Sequence, residues 1–365
     1  LPAIEAILKV LKKPFQPKQA QRAAEILGDI MLSLSEKESK ETDKIKEFCF
    51  KQITETCDYK GELFKILGKI AFGPHSNENV TSEIVEYLFA NLCKISCPYE
   101  ILEGLSWAAS SKNASSKLKM DVCYLFITLM EQRLPEKISE EKDKGTYKIF
   151  EFNPKTTAYT ELLPVLILGL KRICLSETVS NVVRKRIIEH FLKKWEDVIS
   201  CKIIWGPKNT INLAETMQDF CLNTDIPENE KIELAKALYK KVEIFTIAEM
   251  LSTIFSENTN GKLAELAFKT SEKLREFANN VEYSGAEDRE IIMRCIGRIL
   301  FSEKLGTVQK TEEIKEKLLF TLFEGLREEV FGVRSMLQRL QQESKLPKKL
   351  KKDIQRRLEQ NIKKK

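Results

Sequence analysis

Apolar residues recur along this chain at the three- and four-residue spacing of one helix face. The first stripe is Ile4, Ile7, Leu8 and Leu11, and similar stripes follow one another with short polar breaks between them. A helix with one apolar face needs neighbouring helices to cover it. A series of such helices with short connections predicts an all-α fold, an irregular superhelical stack of antiparallel helix pairs. A compact irregular helical bundle is the structural alternative.

Turn residues are scarce in the sequence. The 365 residues include 14 glycines and 11 prolines, and Asn260-Gly261 is the one Asn-Gly pair. Sheets need frequent tight turns and alternating apolar and polar residues, and both features are rare here. The sequence therefore argues against a β-rich or α/β fold.

The nine cysteines are odd in number and spread singly along the chain. This pattern favours reduced, buried thiols in an intracellular protein over a disulfide framework. No apolar run approaches the roughly 18 residues of a membrane-spanning helix, so no membrane partner is expected. The chain begins with Leu1 rather than methionine, as expected of a fragment of a longer protein.

Breaks in the helical rhythm predict four regions. Helical repeats are expected over 1–134 and again over 158–345, separated by an irregular charged loop or insertion at 135–157. That segment is predicted to be a disordered insertion, or alternatively to pack back on the body or bind a partner through its aromatic stretch 147–153. A basic amphipathic terminal helix is expected over 346–365.

Two pairs of segments resemble the paired helices of HEAT repeats. Residues 161–170 and 181–188 form the first pair, and residues 318–326 and 330–337 form the second. In each pair, a leucine-rich stretch precedes a second stretch that contains a Val-Arg dipeptide. The region 289–341 is also similar to the HEAT subunits of condensin that bind a kleisin. The resemblance implies HEAT/armadillo-like repeats.

The matching dipeptides are Val183-Arg184 and Val333-Arg334. The resemblance implies that each valine fills the seam between two helices of a repeat. It also implies that each arginine pairs with an acidic group of the adjacent repeat, here Asp197 or Glu329.

Catalytic and metal-binding patterns are absent from the sequence. The two histidines, His75 and His190, are far apart, and the closest cysteine pair, Cys93 and Cys97, has no second pair to complete a zinc site. No phosphate-binding glycine loop or nucleophile elbow occurs. We therefore expect no catalytic residue, no metal, no cofactor and no small-molecule substrate.

Positive charge is concentrated at the C-terminal end. Residues 346–365 contain nine lysines and arginines against Asp353 and Glu359, a net charge of +7, which leaves −1 for the rest of a chain whose total is +6. Apolar residues lie at every fourth position of this segment: Leu346, Leu350, Ile354, Leu358 and Ile362. This spacing predicts a helix that covers the last repeat and points its lysines outward. A nuclear import signal or a phosphate contact are the alternatives.

The function expected from these features is a non-enzymatic scaffold that binds a protein partner, either a long peptide segment or a complex subunit. The alternative is a nucleic-acid-binding or chromosome-associated subunit. Its candidate contacts to an anionic partner are Arg184, Lys185, Arg186, Lys193, Lys194, Lys348, Lys349, Lys351, Lys352, Arg356 and Arg357. A solvated helix face also explains the first five. The expected location is nuclear or cytoplasmic, with the basic tail favouring the nucleus.

Overall fold

A computed structural model describes most of the chain. The described residues are 2–12, 17–34, 39–55, 59–74, 76–92, 98–131, 159–201, 205–258, 261–279, 286–301, 311–343 and 346–363. Helices joined by turns account for these residues, and no strand occurs among them. The predicted all-α fold class is confirmed. The insertion predicted at 135–157 lies outside the described residues, as do His75, Cys93 and Cys97.

Seventeen helices are present in the described part of the chain. They are α1 (Pro2–Lys12), α2 (Pro17–Ser33), α3 (Ser39–Thr54), α4 (Lys60–Phe72), α5 (Glu78–Leu92), α6 (Pro98–Ser110), α7 (Ser116–Met130), α8 (Tyr159–Cys174), α9 (Asn181–Ile199), α10 (Pro207–Leu222), α11 (Glu228–Tyr239), α12 (Phe245–Asn258), α13 (Gly261–Asn279), α14 (Ala286–Phe301), α15 (Thr311–Arg327), α16 (Val333–Glu343) and α17 (Lys348–Lys363).

The chain divides into two compact units, unit 1 at Leu1–His190 and unit 2 at Phe191–Lys365. In unit 1, helices α2, α4, α6 and α8 contact one another in series. Helices α3, α5 and α7 pack beside this row, each against a helix next to it in the chain. Unit 1 is therefore a layered helical stack.

The closest helix approach in the α4–α6 pair depends on two glycines. A Cβ atom added to Gly68 would lie 2.3 Å from the carbonyl oxygen of Gly104, and one added to Gly104 would lie 2.5 Å from the carbonyl oxygen of Phe64. Both contacts are with backbone, which cannot move aside like a side chain. The two glycines thus set the distance between α4 and α6.

Unit 2 repeats the layered arrangement. Helices α10, α12, α14 and α16 form one series of contacts, and α11, α13, α15 and α17 form another. Each helix from α10 to α17 also contacts the next one in the chain. Short connections such as residues 223–227 reverse the chain direction between touching helices, which gives antiparallel pairs.

The boundary between the units differs from the predicted domain division. The sequence placed 158–345 in a second set of repeats, whereas α8 packs against α6 and α7 and belongs to unit 1. The boundary falls within α9 instead. A helix belongs to the unit whose helices it packs against. The sequence shows that α8 has an apolar face, but it does not show which helices cover that face.

Candidate functional site

The valines of the two Val-Arg dipeptides, Val183 and Val333, are fully buried. Arg184 is also buried; its Nε donates to the Cys174 carbonyl oxygen at 3.3 Å and its Nη1 to Asn181 Oδ1 at 3.4 Å. Arg334 donates to Asn361 Oδ1 on α17. The pairing of these arginines with Asp197 or Glu329 stays a prediction.

The basic residues of α9 have very different exposures. In unit 1, Lys185 is exposed and lies 3.8 Å from Glu189, while the Arg186 guanidinium stacks 3.7 Å from the ring centroid of Tyr124. In unit 2, Lys193 is exposed and Lys194 is buried. Arg184 and Lys194 are buried because their helix positions coincide with the apolar face, so they offer little surface to an anionic partner.

The basic residues of α17 are mostly on the surface. Lys349 pairs with Glu316 at 3.0 Å and Arg356 with Asp353 at 3.2 Å, and Arg357 lies 5.5 Å from the ring centroid of Phe323. The exposed Lys348 and Lys352 and the half-buried Lys351 form no ion pair with any residue that the structure describes. The apolar side of the same helix is covered: Leu346, Leu350, Ile354 and Leu358 are buried.

A groove of about 590 Å³ lies in unit 1 where α4, α6 and α8 end. Its lining residues are Phe72, Ser110, Lys112, Leu168, Lys171, Arg172, Leu175, Ser176, Glu177 and Thr178. Phe72 is 37% exposed and Leu168 is 45% exposed, so the groove presents apolar surface to solvent. No sequence motif indicated this site.

One wall of the groove is a stack of aromatic and basic side chains. The Arg172 guanidinium lies 3.9 Å from the ring centroid of Trp107, and Phe72 meets Trp107 edge-on with ring centroids 5.1 Å apart. Arg172 also donates to the Ser106 hydroxyl. Burial lowers the pKa of Arg172, although the nearby Glu103 and Tyr99 act in the opposite direction. The stack holds the arginine cation in a fixed place beside the groove.

A buried lysine lies directly behind the groove. The Lys119 side chain on α7 has no exposed surface, and its Nζ donates to Thr178 Oγ1 at 2.6 Å and to Ser176 Oγ at 3.3 Å. Both hydroxyls belong to the groove lining. Within the described ranges, Lys119 forms no ion pair with a carboxylate. Burial lowers the pKa of Lys119 from 10.5 to about 8.

We expect Lys119→Met to stabilise the protein at pH 7 by about 2 kcal/mol. A charge held at a pKa of about 8 instead of 10.5 destabilises the folded state by about 3 kcal/mol, and methionine removes this penalty. Methionine also loses the two hydrogen bonds of the lysine, which reduces the gain by about 1 kcal/mol. The unfolded chain binds the proton more tightly, so wild-type stability rises with pH between the two pKa values. Urea denaturation of both proteins at pH 7 and pH 10 measures this. The advantage of methionine should fall to about zero at pH 10; an equal difference at both values contradicts a charge effect.

Metal-ligating side chains do not cluster in the part of the chain that the structure describes. No group of three or more His, Cys, Asp or Glu side chains there is arranged to hold a metal ion. Burial raises the pKa of Cys123 and Cys221 to about 12 and that of Cys295 to about 11, which keeps these thiols protonated and unreactive at neutral pH. None of the described helices has the length and apolar character to cross a bilayer.

No protein family model and no curated protein matches this chain. Two solved structures of engineered proteins resemble it. One is 14% identical, covers 99% of this chain and 88% of its own, and has a TM-score of 0.42. The other is 16% identical, covers 88% of this chain and 97% of its own, and has a TM-score of 0.23. At these TM-scores, neither likeness supports an inference about family or function.

Proposed function

We propose that this chain is a non-enzymatic, HEAT-like helical scaffold that holds an extended segment of a protein partner in the groove of unit 1. The observation that carries the proposal is the combination of exposed apolar side chains with fixed cations in one groove. Phe72 and Leu168 offer apolar contacts, and the Arg172 guanidinium is fixed against Trp107 beside them. Aromatic, arginine and apolar groups of this kind dominate the binding energy of protein interfaces.

Charge in the groove specifies the partner further. Lys112, Lys171 and Arg172 line it against one acidic residue, Glu177, and the buried Lys119 lies behind it. A segment that combines apolar side chains with aspartate or glutamate complements this surface. We therefore propose an acidic, apolar segment as the occupant.

The exposure of the lining supports a peptide over a small molecule. A volume of about 590 Å³ suits either ligand, because small-molecule sites also fall between about 300 and 1,000 Å³. Such sites bury most of the ligand surface, however. Here Phe72, Lys112, Leu168, Glu177 and Thr178 are all exposed, which favours a long chain lying across the groove.

The chemistry around the groove supports a binding role rather than catalysis. An enzyme site needs a nucleophile or an acid–base pair converging on one point. The hydroxyls of Ser176 and Thr178 accept hydrogen bonds from a lysine, and no histidine is among the lining residues. Free, buried thiols such as Cys123 and Cys295 support an intracellular location.

Selection from a phage-displayed library of random peptides on the immobilised full chain tests the proposal. We expect enriched sequences that combine an apolar anchor with acidic residues. Leu168→Glu should weaken the best selected peptide by at least about tenfold, because it places a negative charge on the apolar surface. Val182→Glu is the matched control, since Val182 is 68% exposed and outside the groove lining.

Three results would contradict the groove proposal. Selected peptides without acidic residues would contradict the proposal that the bound segment is acidic. Equal weakening by Leu168→Glu and Val182→Glu would place binding elsewhere on the chain. Binding of a small metabolite that Leu168→Glu abolishes would favour a small-molecule site instead.

The second candidate function is nucleic-acid binding through α17. The exposed Lys348 and Lys352, without ion-pair partners among the residues described, favour it. Contacts with phosphate require affinity that falls steeply as salt rises. The same exposed lysines support a nuclear location, and a scaffold with both surfaces would act as a subunit of a larger complex.

A further inference from the structure

The turn that follows α8 forms one end of the groove and is joined to the buried lysine. Ser176 and Thr178 lie in this turn, and both accept hydrogen bonds from Lys119. The ammonium group has three donors, and the two used in the described part of the chain go to these lining hydroxyls. The positive charge therefore lies immediately behind the groove surface.

The hydroxyls transmit that charge to the surface. A hydroxyl that accepts a hydrogen bond from Lys119 keeps its own proton for another acceptor. Thr178 is exposed, so its proton is available to a molecule in the groove. The backbone N–H groups of Glu177 and Thr178 donate no hydrogen bond to any described residue, which leaves two more donors in the same turn.

We infer that Ser176, Thr178 and the Lys119 ammonium behind them form a carboxylate-binding subsite, which takes an aspartate or glutamate side chain of the bound segment. This inference rests on the proposed function. The turn presents hydrogen-bond donors, and an anionic oxygen supplies the acceptors that they need. Charge-assisted hydrogen bonds of this type are stronger than neutral ones.

The charges around the turn favour an anionic ligand. Lys112, Lys171 and Arg172 line the same groove and add positive potential. Glu177, in the same turn, opposes any anion. Positive charges outnumber this one negative charge, and an acidic side chain is the anion that a segment of a protein partner supplies.

The buried charge gives an independent reason to expect a ligand. A lysine ammonium without a carboxylate partner is unfavourable in a packed interior. A bound carboxylate supplies the counter-charge that the described part of unit 1 does not provide for Lys119. A residue that reduces stability for the sake of binding is a common feature of functional sites.

Paired peptides test the subsite directly. The best groove-dependent peptide is synthesised with its acidic residue as glutamate or as glutamine, and both forms are titrated against the full chain. We expect the glutamate form to bind wild type at least about tenfold more tightly. Lys119→Met and Thr178→Val should each reduce this ratio towards one. Thr54→Val, at an exposed threonine of α3, should leave it unchanged.

The outcomes separate this inference from the proposed function. Equal affinity of the two peptides for wild type, with binding still abolished by Leu168→Glu, overturns the subsite and leaves the groove intact. A glutamate preference that survives Thr178→Val also overturns it, because Thr178 is exposed and its substitution leaves the packed interior unchanged. Failure to select any groove-dependent peptide overturns both proposals.

Discussion

Val183→Asp should lower the free energy of unfolding of unit 1 by about 4 kcal/mol. Val183 is fully buried in the first turn of α9, so the new carboxylate would lose its hydration and the apolar contacts of valine would be lost. The helix N-terminus favours a negative charge, but only by about 0.3–1 kcal/mol at such positions. Burial therefore dominates.

The adjacent valine is a matched control for this prediction. Val182 lies in the same helical turn and is 68% exposed. Val182→Asp places the same charge at nearly the same distance from the helix end, and its effect should stay within about 0.5 kcal/mol. Urea denaturation followed by circular dichroism measures both variants. Similar losses at the two positions would mean that Val183 is not part of the core.

The sequence was sufficient to predict an all-helical chain and, in helices such as α4, the side that faces the core. The stripe Leu63, Ile66, Leu67 and Ile70 is completely buried in α4, as its spacing requires. Such spacing reports which side of a helix is covered and not which helix covers it. The assignment of α8 to unit 1 could not be predicted for that reason.

The groove could not be predicted because its lining comes from three distant parts of the chain. Phe72 and Ser110 are the last residues of α4 and α6, and Leu168 lies on the exposed side of α8. Each is an ordinary residue in its own part of the sequence. Only the packing of α4, α6 and α8 brings them together.

Buried basic residues did leave a signal in the sequence. Lys119 precedes Val122, Cys123 and Phe126 at three, four and seven residues, the spacing of the buried face of α7. A lysine at such a position indicates a buried cation.

The spacing of apolar residues also identifies a buried residue in the basic cluster of α9. Arg184 precedes Ile187, Ile188 and Phe191 with identical spacing, and it is buried. Helix position therefore separates interior basic residues from surface ones better than their density along the sequence does.

Deletion of 346–365 should lower the free energy of unfolding of unit 2 by about 3 kcal/mol or more. Helix α17 contacts α15 and α16 through its buried apolar side, and its loss exposes the facing residues of both helices. Each fully buried leucine or isoleucine contributes roughly 1.5–3 kcal/mol, and the ordering of the helix offsets part of the sum. A terminal helix with a polar outer face is a common way to cover the end of a helical stack.

Point variants separate the covering role of α17 from its charge. Ile354 is fully buried and Ile362 is 60% exposed on the same helix, so Ile354→Asp should destabilise unit 2 strongly and Ile362→Asp hardly at all.

Lys348→Gln combined with Lys352→Gln should leave stability unchanged, because both side chains are exposed and form no ion pair among the described residues. Titration of this double variant with duplex DNA across salt concentrations then tests the charge alone. If α17 binds phosphate, the salt dependence of the affinity should fall by about one unit of slope per lysine. An unchanged slope would show that these lysines do not bind nucleic acid. The loss of stability in the deletion variant would then come from the uncovered apolar faces of α15 and α16 alone.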